Sequence, residues 1–204
     1  MNSLFPPELR TASVVQRWSI VRTLNPDSVA NHSFYVCFYA LQIARLIEWA
    51  GPYADLTFAA LMHDVEEVVI SDIISPVKKQ IVDEAALSNF VFTQMKERLP
   101  LLEAQIAAIY ESQWGSNIER IIKVADKVDA TIHLILEQRQ GNAVLEPLYR
   151  DALENLVIAW HDLGQELIGV TTETAEWKKH QALWNDQIYP ALQSHWRYGS
   201  VGIT

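Results

Sequence analysis

The sequence predicts an all-α protein, and three observations carry that prediction. Apolar residues recur at three- and four-residue spacing along most of the chain. No segment shows the strict alternation of a half-buried strand. The breaks fall at capping or proline-containing stretches such as Asn25-Pro26-Asp27-Ser28, Gly51-Pro52 and Leu99-Pro100. With 204 residues, half of them apolar, a fifth charged and only seven glycines, the chain is long enough to bury a full core and is expected to form a single domain over 1–204.

Taken in order, Pro6 and Pro7 open an irregular lead-in, and a first short helix is expected from about Glu8 to Val21, with Arg17-Trp18-Ser19-Ile20 near its end. Ser28 is suited to cap the next helix, Val29 to Trp49. The apolar residues of that helix cover most of its circumference, which predicts burial on nearly all sides, and His32 sits in its first turn. Gly51-Pro52 should end it. Asp55 should cap a helix that runs through His63 and Asp64 until Pro76 forbids continuation, which leaves Asp72 in the closing loop. Residues 79–98 read as an amphipathic helix ended by Pro100, followed by another from about Leu101 to Trp114, stopped by Gly115. From Asn117 to about Gln140, apolar residues at 121, 122, 125, 128, 132, 135 and 136 trace one face, with Asp126, Asp129 and His133 along its border. Two C-terminal helices, near 143–163 and 172–196, carry Trp160, Trp177, Trp184 and Trp196, which suit core or subunit contacts.

The formal charge of -9 excludes a polymer partner gripped through its phosphate backbone, although one cation and a few basic side chains can still reverse the field locally for a small phosphorylated ligand. The most apolar run, 34–50, is interrupted by Gln42, Arg45 and Glu48 and is too short and too charged to span a membrane. Cys37 is the only cysteine and the opening residues lack the layout of a signal peptide, so the reducing cytoplasm is the expected compartment.

The chemistry is concentrated around His63-Asp64, an ionisable pair inside Ala59-Ala-Leu-Met and Val65 to Ile70. Burying such a pair costs several kcal/mol, about the scale of uncompensated polar burial, unless a partner offsets it. A bound cation is one such partner; an ion pair with Lys78 or an arginine is the other. At about 100° per helical residue, Glu67 would point between His63 and Asp64 while Glu66 turns away. A carboxylate there is placed to take a proton from an attacking water. A His-Asp dipeptide alone is weak evidence, since ordinary composition puts one in roughly one such chain in five. His161-Asp162 shows this: Gln165 stands where a carboxylate would be needed, and no acidic loop closed by proline follows. What strengthens the first pair is His32 and Asp126, each in apolar helical sequence where a lone polar group needs a reason. Two histidines and two aspartates form a mixed nitrogen and oxygen set suited to first-row divalent ions.

The ordered pattern Arg17-Trp18, His32-Ser33, His63-Asp64 with Glu67 and Asp72, Pro76-Val-Lys78 and Ala125-Asp126 resembles the HD-domain phosphohydrolases. Within them it is similar to the YfbR-type 5'-deoxynucleotidases and the phage DatZ-type deoxyadenylate phosphohydrolases. The resemblance covers about residues 14–140 and implies an HD-domain helical bundle. It implies His32, His63, Asp64 and Asp126 as ligands of one divalent ion (Zn, Co or Mn), Glu67 and Asp72 as acid/base carboxylates, and Arg17 on phosphate with Lys78 assisting. It further implies Trp18 packed on a deoxyribose, Ile20 against the purine edge and Pro76 closing the base pocket. The implied substrate is a deoxynucleotide, with deoxyadenylate (dATP, dADP or dAMP) preferred. The alternatives are an enzyme restricted to deoxynucleoside monophosphates or an HD hydrolase of signalling nucleotides. A homo-oligomer, dimer or hexamer, in the cytoplasm (the host's, if phage-encoded) is implied as well. The chain departs from the family at Asn31, where glutamate is usual, at Ser71, where glycine is usual, and at Ile74, where proline is common.

Overall fold

In the computed structural model, which describes residues 6–71, 84–169 and 174–197, Ser28 caps helix α1 (Val29–Leu46): its backbone is extended and its hydroxyl accepts the Asn31 N–H at 3.3 Å. The helix stops before Gly51-Pro52 by another device. The Glu48 N–H returns to the Arg45 carbonyl at 3.1 Å and the Trp49 N–H to that of Ala44 at 2.8 Å, with Glu48 at φ 55. This is a Schellman ending with glutamate where glycine is usual. Gly51 is needed for a different reason: a Cβ there would lie 2.2 Å from the Trp49 ring.

The expected first helix is only a 3-10 turn, Pro7–Ser13. The Ser13 hydroxyl donates back to the Arg10 carbonyl at 2.8 Å, and β-branched Val14 and Val15 favour extended backbone. The chain then pairs with the entry to α1: the Arg17 N–H reaches the Asp27 carbonyl and the Val29 N–H the Val15 carbonyl, both at 3.0 Å, around an isolated Gln16–Ser28 bridge. Arg17 and Trp18 therefore sit on a closed irregular loop rather than on a helix.

Helix α2 (Tyr53–Met62) begins after Pro52 with Asp55 in its first turn but not capping it, and it does not continue through the His-Asp pair. Residues 63–66 form turns tightened by bonds from the Val65 N–H to the Met62 carbonyl and from the Glu67 N–H to that of Asp64. The one-turn helix α3 (Glu67–Ile70) follows and ends at Ser71, whose φ of 67 and ψ of 164 fall in a region glycine occupies freely and other residues rarely. The loop bearing Asp72, Ile74, Pro76 and Lys78 lies outside the described residues. Beyond it come α4 (Glu84–Arg98), α5 (Pro100–Tyr110), α6 (Gly115–Arg139), α7 (Glu146–Ile168), α8 (Ala175–Leu183), a π-helical turn (Trp184–Ile188) and α9 (Tyr189–Arg197). Gly115 starts α6 rather than merely stopping α5, and a Cβ there would meet the Tyr110 carbonyl oxygen at 2.0 Å.

Helix α6 is the central element, packed against α1, α2 and α7. Its Ile118, Ile121, Ile122 and Ala125 interlock with Val36, Ala40 and Ala44 of α1, Leu56 and Ala60 of α2, and Leu156 and Leu163 of α7 in one core. Small side chains on α1 let these axes approach, which is why the start of α1, the end of α2 and the middle of α6 can share one site. A smaller core, Val65, Met95 and Leu99 with Leu9 and Ile106 against it, holds the turn after the His-Asp pair. Helix α1 is not buried on nearly all sides: Phe34, Tyr35 and Phe38 are exposed, because its neighbours cover one flank and apolar composition cannot supply a neighbour for the other. Among the described residues the architecture is all-α, with the single bridge as its only β pairing, and no helix is long and apolar enough to cross a membrane.

Candidate metal centre and active site

His32, on the first turn of α1, is fully buried. Its Nε2 lies 3.1 Å from Nε2 of His63, 3.3 Å from Oδ2 of Asp64 and 3.3 Å from Oδ1 of Asp126 on α6; His63 Nε2 to Asp64 Oδ2 is 3.2 Å. His63 keeps a helical backbone (φ -61, ψ -34) where α2 ends, so the pair approaches His32 from the end of α2, and the bonds made by the Val65 and Glu67 N–H groups tighten the turn that follows.

The hydrogen bonds on the far side of each ring fix the chemistry. His32 Nδ1 faces the Asp129 carboxylate at 2.6 Å and His63 Nδ1 faces the Ala60 carbonyl at 2.9 Å. Both partners only accept, so in the neutral rings both Nδ1 atoms carry the proton and both Nε2 atoms present lone pairs. Two lone pairs and two carboxylate oxygens thus face one another with no donor among the four. Ligand atoms about 2.1 Å from a shared ion stand about 3.0 Å apart at a right angle and about 3.4 Å apart at the tetrahedral angle, which brackets the separations seen. The donor set therefore fits a divalent ion; His32, His63 and Asp126 each offer an atom within 4.8 Å of the others.

The electrostatics agree. Burial pushes the His32 imidazole down, but Asp126, Asp129 and Asp64 outweigh it and hold its pKa up at about 10, so that without an ion a proton takes the cation's place on Nε2, and a bound ion would displace it. Burial alone would raise the carboxyls of Asp64 and Asp126, yet both are held well below their ordinary range, Asp64 by His32 and His63 and Asp126 by His32 and Lys127. The Lys127 ammonium reaches Asp126 Oδ2 at 2.7 Å and leaves Oδ1 toward the cluster.

Arg17 stands at the rim, 3.3 Å from Asp27, 3.6 Å from Asp129 and 3.8 Å from Asp126. Trp18 stacks on His133 of α6, with ring centres 5.3 Å apart and planes 8° from parallel, and Arg17 lies 5.8 Å from the Trp18 ring centre. Trp18 has φ 60, a left-handed conformation that costs an aromatic residue roughly 1–2 kcal/mol. Ile20 is 67% exposed two residues on, and Glu67 is buried at the start of α3. A cavity of about 560 Å³ opens beside His63 over Met62, Val65 and Phe92, with Glu66 and Glu103 among its lining. Asp72, Pro76 and Lys78 lie outside the described residues. Asp27 and Lys127 carry no sequence signal that marks them, whereas Asp129, already on the border of α6 one turn after Asp126, turns out to hold His32.

A helical bundle in which a His-Asp pair meets a histidine from one helix and an aspartate from another defines the HD-domain phosphohydrolase class, and solved structures share the fold. The cyanophage S-2L HD phosphohydrolase DatZ, bound to dA and one catalytic Zn2+ ion, superposes with a TM-score of 0.61 at 15% identity over 95% of this chain and 99% of that one. A protein from Pyrococcus horikoshii gives 0.62 at 21% identity over 93% and 95%. Residues 5–162 match the family model described as 5'-deoxynucleotidase YfbR-like, so the chain belongs to that family and is a phosphohydrolase. Its relatives include a 5'-deoxynucleotidase of Pasteurella multocida (26% identical, 72% of this chain and 80% of the relative). The dATP triphosphohydrolase of Salmonella phage PMBT28 is 28% identical over 88% and 95%.

Proposed function

We propose that the chain hydrolyses phosphate from deoxynucleotides with a divalent ion (Zn, Co or Mn) at His32, His63, Asp64 and Asp126, and that it prefers deoxyadenylate. The observation that carries the reading is the convergence of His63, Asp64 and Asp126 on His32 Nε2 at 3.1–3.3 Å with Arg17 at its edge. When bound, the ion supplies Lewis acidity toward water and the phosphoryl oxygens. Asp129 keeps His32 in the tautomer that offers Nε2 inward. Arg17 binds the transferring phosphoryl group, with Lys78 assisting. Glu67 takes the proton of the attacking water and Asp72 assists its passage to the leaving group. Trp18, held by its stack on His133, packs on the sugar face, where a 2'-hydroxyl would crowd it.

The preference for deoxyadenylate, with release of phosphates from dATP as well as dAMP, is supported by the exposed apolar wall of Ile20 beyond Trp18 and by the near full-length match to the phage dATP triphosphohydrolase. A restriction to monophosphates is the second reading, favoured by the 5'-deoxynucleotidase relatives. The implied homo-oligomer is supported by the exposed aromatics of α1.

The test is to incubate the protein with Co, Mn or Zn and each deoxy- and ribonucleotide at every phosphorylation level, resolving products by chromatography. Deoxyadenosine formed from dATP, dADP and dAMP ahead of other substrates is expected. Turnover of monophosphates alone selects the second reading. Faster turnover of guanosine tetraphosphate or a cyclic dinucleotide overturns both.

A further inference from the structure

The stripe on α6 that carries Asp126, Asp129 and His133 has a fourth member one turn further on, Glu137, which is fully buried. Its carboxylate accepts the backbone N–H groups of Leu24 and Asn25, the Asn25 side-chain amide and the Asn142 side-chain amide, each at 2.7 Å. Asn142 also donates to the Arg22 carbonyl at 2.9 Å. Every one of these bonds ends on the 22–25 tip of the Arg17–Trp18 loop or on the Asn142 that helps hold it.

The other end of the same loop is fixed at its base. Asp27 accepts the Arg17 backbone N–H at 3.0 Å through its carbonyl and the Arg17 guanidinium at 3.3 Å through its carboxylate. Between the two attachments hangs Trp18 in its left-handed conformation, stacked on His133. A strained residue persists only where its surroundings fix the chain on both sides. A buried carboxylate that served packing alone would usually be replaceable by an apolar side chain without loss; one saturated by four donors from the clasped loop and Asn142 selects a conformation.

We propose that Glu137 is a positioning residue: it clasps the 22–25 tip to α6 and so holds Arg17 and Trp18 in register with the His/Asp cluster, setting substrate affinity and deoxy-over-ribo selectivity without touching substrate. The selectivity half rests on the proposed roles of Arg17 and Trp18. Eleven residues, about 16 Å of helix rise, separate Glu137 from Asp126, so the clasp acts on the loop and not on the metal ligands.

The test uses Glu137→Gln, which turns one acceptor into a donor facing donors, and the milder Asn142→Ala, which removes one of the four bonds to Glu137 and the bond to Arg22. Amide hydrogen exchange over residues 15–28 should quicken by about tenfold or more in Glu137→Gln, less in Asn142→Ala, with the α1–α6 core unchanged. KM for a deoxynucleotide should rise about tenfold with kcat within about twofold, the deoxy-to-ribo ratio of kcat/KM should fall toward that of Trp18→Ala, and metal content should hold. Combining Glu137→Gln with Trp18→Ala should cost no further selectivity. Unchanged exchange at 15–28 overturns the clasp. A loss confined to kcat, with KM and the deoxy-to-ribo ratio unmoved, overturns its role in selectivity. Should the unaltered protein turn over no deoxynucleotide, the proposed function and the selectivity half fall together, while the exchange measurement still decides the clasp. Should Glu137→Gln fail to fold, Asn142→Ala answers the same questions.

Discussion

The chain contains the same dipeptide twice, His63-Asp64 and His161-Asp162, and the two do different things. The first lies where α2 breaks, and its side chains converge on His32 at 3.1–3.3 Å. The second lies inside α7, where an unbroken helix splays neighbours apart: His161 meets the Trp177 ring edge-on at 5.0 Å, while Asp162 faces Arg120 at 3.5 Å and Lys123 at 4.0 Å. Opposite the first pair stand lone pairs and carboxylates, which invite a cation. Opposite the second stand cations already supplied by α6. The role of a His-Asp pair is thus decided by the charge of what faces it.

The largest effect that can break this contrast comes from the aspartates. Asp126→Ala should lose the metal, by elemental analysis of the purified protein, and should lower phosphate release by about a thousandfold or more. Asp162→Ala should retain metal and activity within about twofold, since exposed ion pairs contribute little. Comparable metal loss in both would place the two pairs on an equal footing and remove the basis for the site.

Next in size is Glu67→Gln. It should keep a full complement of metal and bind deoxynucleotide, yet lower kcat by about 10²–10⁴-fold, the usual reach of a general base. Metal loss equal to that of Asp126→Ala would assign Glu67 to the ligands instead.

A smaller effect is expected at Asp129, which orients His32 much as the Trp160 carbonyl, 2.9 Å from Nε2, orients His180 in the second cluster. Asp129→Asn keeps the shape but weakens the hold on the ring, and should reduce metal affinity by about 10–100-fold, read by competition with a chelator. An affinity equal to wild type would show that burial alone orients His32.

The positions of these helices were legible from the sequence because their signals are local: Ser28 caps α1, Pro100 divides α4 from α5, and the apolar spacing of 121–136 marks α6. The four residues of the cluster were legible as a pattern in chain order. What was not legible is conformational. Nothing in Met62-His63-Asp64-Val65 contains a helix breaker, and the turn there is held by Val65 against Met95 and Leu99 some thirty residues away. Trp18 and Ser71 occupy positive φ without being glycine, and at Trp18 the loop attachments on both sides impose it in a way no propensity encodes. Ser71 also explains the family's glycine at that position, since its φ of 67 and ψ of 164 suit glycine best. Glu137 escaped because its partners, Leu24 and Asn25, lie more than a hundred residues back along the chain.

The finest distinction between the two regions is the sign of their response to pH. His180 is buried, stacked on Trp160 at 4.2 Å and packed so close to Gly164 that a Cβ there would sit 2.6 Å from its ring. Burial lowers its pKa, the Trp160 carbonyl pulls the other way, and neighbouring His161 lowers it further; the net direction is down. The unfolded chain therefore takes up a proton near the ordinary histidine value of about 6.5 while the folded ring stays neutral. The stability His180 contributes is fully present above that pH and is lost as pH falls through the folded-state value. With no ion bound, His32, raised to about 10 among its carboxylates, has the opposite sign. His180→Gln keeps a donor for the Trp160 carbonyl and removes the titration, so its melting temperature should fall less than that of the unaltered protein between pH 7.5 and pH 5.5, by about a few degrees. Identical pH slopes for the two proteins would mean that the second cluster is protonated in the folded state, and the contrast drawn between the two histidine environments would not hold.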